Sequence, residues 1–323
     1  MSLPGRLVPI GQGGGIRLFC HDSGPDRGPV VVLIHGYLVS GWTWRTVAPV
    51  LAEQGYRVIV VDLPGAGESD RPPVGRRSIT GTPAAGAAIA FDYGIESFAW
   101  AVEELLRALG VVSAALGAPS RSVSLVGHSM GGAIAVALAR RRRVEVNRLA
   151  LVSASCGPLH LPLSAVLALT PLVGELLFKR LYRKRDLGRY FQSAVDASGA
   201  SVVDDYVDYY WERLNRPGGL DAAYQTLRTL NDLEDFSPEL AALRLPTLLI
   251  WGEGDPITPL GIGQRLAAAV DGARLEILAP CGHAPHEERP SELLAKLLPF
   301  LAGNVPGRLR IAGGRREEPS ERR

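Results

Sequence analysis

The chain has few cysteines, no long apolar run and almost no net charge. Its three cysteines, Cys20, Cys156 and Cys281, are scattered among 323 residues. They show neither the pairing of a disulfide framework nor the spacing of a zinc site, which fits a reduced, cytoplasmic setting. No charge-free run of about 20 apolar residues occurs, so no membrane-spanning helix is expected. The nearest stretch, Leu159 to Phe178, is broken by His160, Pro162, Pro171 and Glu175. Residues Met1 to Gly15 lack the apolar centre of a signal peptide. A formal charge of +2 gives no global case for nucleic acid as a partner. Basic residues gather only at Arg140 to Arg143 and Lys179 to Arg189. The first group reads as a solvated helix end, favoured by the negative pole of the dipole. The stretch Gly11 to Gly15 has no P-loop lysine and no helix after it, so it reads as a hairpin turn rather than a phosphate cradle.

What is present is an alternation of short apolar runs and helix-patterned segments. Apolar residues make up 46% of the chain, ample for a buried core. Strand-like runs fall at 6–10, 16–22, 30–34, 57–61, 122–126, 147–153, 247–251 and 274–278. Helices are expected at 44–54, 95–109, from 133 and at 291–301. The rhythm breaks after Gly157, where helix-like runs at 163–169, 173–182, 187–197, 202–214 and 222–230 follow with no strand between them. The pattern predicts an α/β core at 1–156 and 241–302, a helical cap inserted at 157–240 and a disordered tail at 303–323.

Chemistry is carried first by Gly127-His128-Ser129-Met130-Gly131, a Gly-x-Ser-x-Gly motif between a strand-like and a helix-like run. In that setting Ser129 stands at the tip of a sharp turn, aimed away from the sheet, with a helix N-terminus behind it. A serine hydroxyl needs a base, and the base needs an orienting acid. Asp255 follows the run 247–251, and His283 follows the run 274–278. Loops at the carboxyl ends of parallel strands are where such a sheet keeps its site. The run Val30 to Ile34 ends in His35-Gly36-Tyr37. The backbone N–H groups of Tyr37 and Met130 are thus expected to face a developing oxyanion.

These blocks, together with Asp62-Leu63-Pro64-Gly65-Ala66-Gly67-Glu68-Ser69, Gly252-Glu253-Gly254-Asp255 and Gly282-His283-Ala284-Pro285, resemble those of cap-bearing serine hydrolases of the α/β-hydrolase fold. The blocks keep the family's order across residues 30 to 300. The resemblance implies a mostly parallel central sheet flanked by helices, with Ser129 as nucleophile, His283 as base, Asp255 as acid, and Tyr37 and Met130 as oxyanion donors. It implies no metal and no organic cofactor. Asp62 is expected to hold its own turn rather than serve as the acid. Asp255 is preferred for that role, and His283 is preferred to His286 as base. His35 and His128 read as structural neighbours, Trp42, Trp44 and Trp100 as packing, and Cys281 as a small loop residue. The Gly75 to Ala90 segment departs from the family pattern and reads as a surface insertion.

For function the resemblance implies cleavage of an ester-like bond in a small, largely apolar substrate through an acyl-enzyme. Carbon–carbon bond hydrolysis is the alternative. Haloalkane dehalogenases and epoxide hydrolases of this fold carry Asp at the elbow, and Ser129 argues against both. A membrane-surface lipase and a non-catalytic ligand receptor are the other rivals. The apolar and then basic order of Leu159 to Arg185 favours a cap over an apolar cleft rather than a membrane anchor.

Overall fold

The computed structural model describes residues 3–11, 15–75, 90–113, 120–158, 169–170, 174–195 and 204–303. The glycine turn, most of the 75–90 insertion, the expected helix at 163–169 and the tail lie wholly or largely outside the described residues. Eight strands form one sheet: β1 (Arg6–Ile10), β2 (Ile16–Ser23), β3 (Val30–Ile34), β4 (Arg57–Val61), β5 (Val123–His128), β6 (Val146–Val152), β7 (Thr247–Gly252) and β8 (Arg274–Leu278). Their order across the sheet is β1-β2-β4-β3-β5-β6-β7-β8. The pairs β1–β2 and β2–β4 are antiparallel, and every pair from β4–β3 to β7–β8 is parallel.

The central strands are buried along their whole length, because helices cover both faces. On one face lie α1 (Val47–Glu53) and, from the end of the chain, a helix at Pro290–Leu301, packed with Trp44 against Val31, Leu33, Val58 and Val60. On the other lie α2 (Ile95–Ala108) and α3 (Met130–Arg140). Residues Gly41–Trp44 form a separate 3-10 turn, and α1 starts only at Val47. Pro49 has no N–H to bond the carbonyl four residues back, so the regular helix cannot begin earlier.

The chain leaves the sheet after β6 and returns at β7. Between them stand α4 (Gly174–Leu181), α5 (Lys184–Val195), α6 (Asp204–Leu214), α7 (Gly219–Asn231) and α8 (Ser237–Leu243). Two small apolar clusters hold this insertion together, one on Phe178, Tyr224 and Leu227, the other on Leu187, Phe191, Val207 and Tyr210. Helix α8 straddles residue 240, and its Leu240 packs with the main core. The remaining helices are α9 (Leu260–Ala269), the short α10 (Pro285–Glu288) and α11 (Pro290–Leu301).

Of the arginines after α3, Arg141 is drawn inward, while Arg142 and Arg143 stay exposed. The Glu103 side chain on α2 is completely buried, and Arg107 and Arg141 both reach it. A buried carboxylate requires such pairing, which draws Arg141 inward.

Candidate active site

Strand β5 ends at His128 and α3 begins at Met130, so Ser129 alone makes the turn. Its φ of 52° and ψ of −124° lie where non-glycine residues are strained. The surroundings hold it there. Ser129 N–H donates to Val152 O at 3.0 Å, and its carbonyl accepts from Gly132 N–H and Ser155 N–H at 2.9 Å each. A Cβ at position 127 would lie 2.3 Å from Gly131 O, and one at 131 would lie 2.3 Å from Ile34 O. Only glycine lets the turn close so tightly.

The three sequence-predicted polar residues come together. Ser129 Oγ lies 3.1 Å from His283 Nε2. His283 Nδ1 lies 2.9 Å from Asp255 Oδ2 and 3.0 Å from Oδ1. With Nδ1–H donated to the carboxylate, the lone pair of Nε2 faces the serine hydroxyl. All three side chains are buried. Asp255 Oδ1 also accepts from the N–H groups of Ile257 and Thr258 at 2.9 Å, and Oδ2 accepts from the Thr258 hydroxyl at 2.7 Å. Burial pushes the Asp255 carboxyl up, but the facing His283 and these donors outweigh it and hold its pKa below the ordinary value.

The loop carrying His283 is held on both sides. Glu288 accepts from the N–H groups of Gly282 and Ala284, each at 2.8 Å. His283 N–H itself donates to Ala194 O on α5 at 2.7 Å. The loop after β3 reaches the nucleophile from the other side, since a Cβ on Gly36 would lie 2.9 Å from Ser129 Cβ. Tyr37 follows that glycine, and its hydroxyl donates to Ala223 O on α7 at 3.0 Å. Met130 opens α3, where the first N–H groups have no partner within the helix.

The other polar candidates sit where structure needs them. Asp62 accepts from Gly41 N–H at 2.7 Å and Glu68 N–H at 2.8 Å, holding its turn. His35 donates from Nδ1 to Gly36 O and accepts from Leu63 N–H at Nε2. His128 donates from Nε2 to His283 O at 2.9 Å. His286 donates from Nε2 to the Thr43 hydroxyl at 2.7 Å. Burial pushes His35 down to about 4. Burial and then the neighbouring His283 push His128 down to about 3, so both rings are neutral at pH 7. Burial raises the Cys281 thiol well above its ordinary range, which leaves it a poor nucleophile. Among the described residues no group of His, Cys, Asp and Glu is arranged to hold a metal ion. Nor is any described helix long and apolar enough to cross a membrane.

A cavity of about 220 Å³ opens over Ser129 and His283, walled by Tyr37, Val39, Phe191 and Tyr206. One end of it is polar. There Glu287 accepts from the Thr43 hydroxyl at 2.6 Å, from Arg45 at 2.9 Å and, through its other oxygen, from the Tyr206 hydroxyl of α6 at 2.7 Å. Sequence reasoning does not find Thr43, Arg45, Glu287, Glu288, Ser155 or Tyr206. No local motif marks them, and only the fold brings them to the site.

Residues 29–290 match the family model for the α/β hydrolase fold. The chain is 29% identical over 309 residues to a 2-hydroxy-6-oxononadienedioate/2-hydroxy-6-oxononatrienedioate hydrolase of Paraburkholderia xenovorans, covering 92% of this chain and 95% of that one. A meta-cleavage product hydrolase from Pseudomonas fluorescens IP01 superposes with a TM-score of 0.71 at 22% identity, covering 93% of this chain and 98% of that one. An esterase from Exiguobacterium antarcticum superposes equally well, with a TM-score of 0.71 at 20% identity and coverage of 93% and 100%. The sheet order, the sharp turn at Ser129 and these similarities converge: the chain belongs to the α/β-hydrolase-fold family and is an enzyme of the hydrolase class.

Proposed function

We propose that the chain is a serine hydrolase in which Ser129 is the nucleophile, His283 the general base and Asp255 the acid that fixes the imidazole. The N–H groups of Tyr37 and Met130 receive the oxyanion. The helices α4 to α7 form the cap over the cleft. The observation that carries this reading is the alignment of Ser129 Oγ, His283 and Asp255 at 3.1 Å and 2.9 Å. His283 takes the hydroxyl proton as Oγ attacks a carbonyl carbon. The tetrahedral oxyanion collapses, the leaving group takes the proton from His283, and water activated by the same ring releases the acyl group. Removing one oxyanion donor costs on the order of 100- to 1000-fold, so both N–H groups matter.

For the bond that breaks, the relatives favour carbon–carbon cleavage over the carboxylester that the sequence blocks imply. The Paraburkholderia relative and the Pseudomonas structure are both named as hydrolases of oxo-dienoate or meta-cleavage products. A carbon leaving group departs only where a conjugated carbonyl accepts its electron pair. The substrate is therefore a small compound in which the attacked ketone is joined to such a system. One observation favours the ester instead. Arg45, the lysine-or-arginine cation among the described residues lining the cavity, is paired with Glu287, so among those residues no unpaired cation faces a carboxylate substrate.

The test has two stages. A fluorophosphonate probe should add to the intact protein once, at Ser129, and the Ser129→Ala variant should stay unlabelled while keeping its fold. Equal labelling of a folded variant would defeat the assignment. Unlabelled wild-type enzyme is then given a ring-fission dienoate, followed by loss of its visible absorbance, and a series of p-nitrophenyl esters of graded chain length. Faster turnover of the dienoate supports carbon–carbon cleavage, and turnover of esters alone supports the ester reading.

A further inference from the structure

Ser155 stands beside the nucleophile, and no motif or comparison assigns it a role. Its Oγ lies 3.2 Å from Ser129 Oγ. It is 1% exposed, and no other hydrogen bond is recorded for its hydroxyl among the described residues. Its own backbone N–H donates to Ser129 O at 2.9 Å, so the two residues are locked together. We infer that Ser155 donates a hydrogen bond to Ser129 Oγ and acts as a further catalytic residue of the hydrolase proposed above, on which this inference rests.

The direction of the bond follows from counting protons. His283 keeps its proton on Nδ1 and donates that N–H to Asp255, so its Nε2 can only accept. The one proton of Ser129 is therefore drawn to His283. The contact between the two hydroxyls must then be donated by Ser155 into a lone pair of Ser129. This arrangement has two effects. It selects the rotamer in which the Ser129 proton faces its base. It also places a donor on the oxygen that takes on alkoxide character as its O–H bond breaks ahead of full bonding to carbon. The proton of Ser129 goes to His283 Nε2, while Ser155 keeps its own throughout. In deacylation the same Oγ is the leaving atom, and the same donor stabilises it as the acyl–oxygen bond breaks.

A hydrogen bond to a group of developing charge is worth about tenfold to a hundredfold in rate. The test compares wild type, Ser155→Ala and Ser155→Cys with a fluorophosphonate probe over a range of concentrations. The expected result is a maximal labelling rate lower by about tenfold to a hundredfold in Ser155→Ala, with the half-saturating probe concentration and the thermal midpoint unchanged. Ser155→Cys, whose thiol is a weak donor of similar shape, should lie between the two. It also carries the test should the alanine variant fail to fold. An unchanged maximal rate in Ser155→Ala overturns the inference and leaves the hydrolase reading intact. So does a rise in half-saturating concentration alone, or full activity in neither variant with both thermally weakened. Absence of labelling at Ser129 in the wild type takes down both.

Discussion

Replacing Glu288 with Gln tests whether His283, the proposed base, is held from behind. In the native loop the Glu288 carboxylate accepts two backbone N–H groups at 2.8 Å, from Gly282 and Ala284 on either side of His283. Glutamine is nearly isosteric but offers one acceptor oxygen, and its NH₂ must face the other N–H. One charge-assisted bond is lost and the second becomes neutral, a cost of about 2–3 kcal/mol. Spread over the unfolding entropy of a chain this long, about 0.7 kcal/mol/K, that lowers the thermal midpoint by about 4 °C. The loop can also relieve the mismatch by shifting. The 3.1 Å contact from His283 Nε2 to Ser129 Oγ then lengthens, and labelling by a fluorophosphonate slows by at least about tenfold. Differential scanning fluorimetry and a labelling time course on the same samples give both numbers. A variant with wild-type midpoint and wild-type labelling rate would refute the clamp.

Two further predictions concern helix α6 and acid stability. Tyr206→Phe removes the single hydroxyl by which α6 binds Glu287, worth about 1 kcal/mol. KM should rise a few-fold with kcat nearly unchanged, and a fall in kcat alone would contradict this in steady-state kinetics. The neutral buried rings of His35, His128 and His286 have pKa values below that of an unfolded histidine. The unfolded chain therefore binds more protons below pH 6.5, and stability should fall as pH drops from 6.5 toward about 4. Asp62, raised to about 6 first by burial, opposes this over part of the same range but is one group against three. A thermal midpoint that stays level between those pH values would show that the rings are not held neutral.

How much of this was legible in the sequence depends on the range of the interaction. Val30 to Ile34 announces a central strand because five apolar residues in succession suit a sheet covered on both sides. Ser129, Asp255 and His283 are legible because each follows a strand-like run, and parallel strands deliver their ends to one edge. Helix α9 is not legible: Gly261 and Gly263 argue against a helix in Leu260–Ala269. Tertiary packing overrides them, for a Cβ on residue 263 would stand 2.9 Å from the Trp251 ring that Gly263 covers. The hidden site residues share one trait. Ser155 reaches Ser129 across 26 positions and Glu287 meets Tyr206 across 81, so no window of neighbouring residues contains either pair. The ends of α1 and α3 shift from expectation by a turn or less, where a proline or the elbow itself sets the first regular residue.

The bond from His283 N–H to Ala194 O has a consequence for the working cycle. It joins the general base of the proposed triad to the last turn of α5, so the two cannot move apart without breaking it. Any swing of α5 that widens the cleft pulls on the His283 loop or strips it of that acceptor. Were α5 to swing outward, that bond would tie admission of substrate to the alignment of the proposed base, as an interlock does. Such coupling would limit reaction with molecules that reach Ser129 while α5 is displaced.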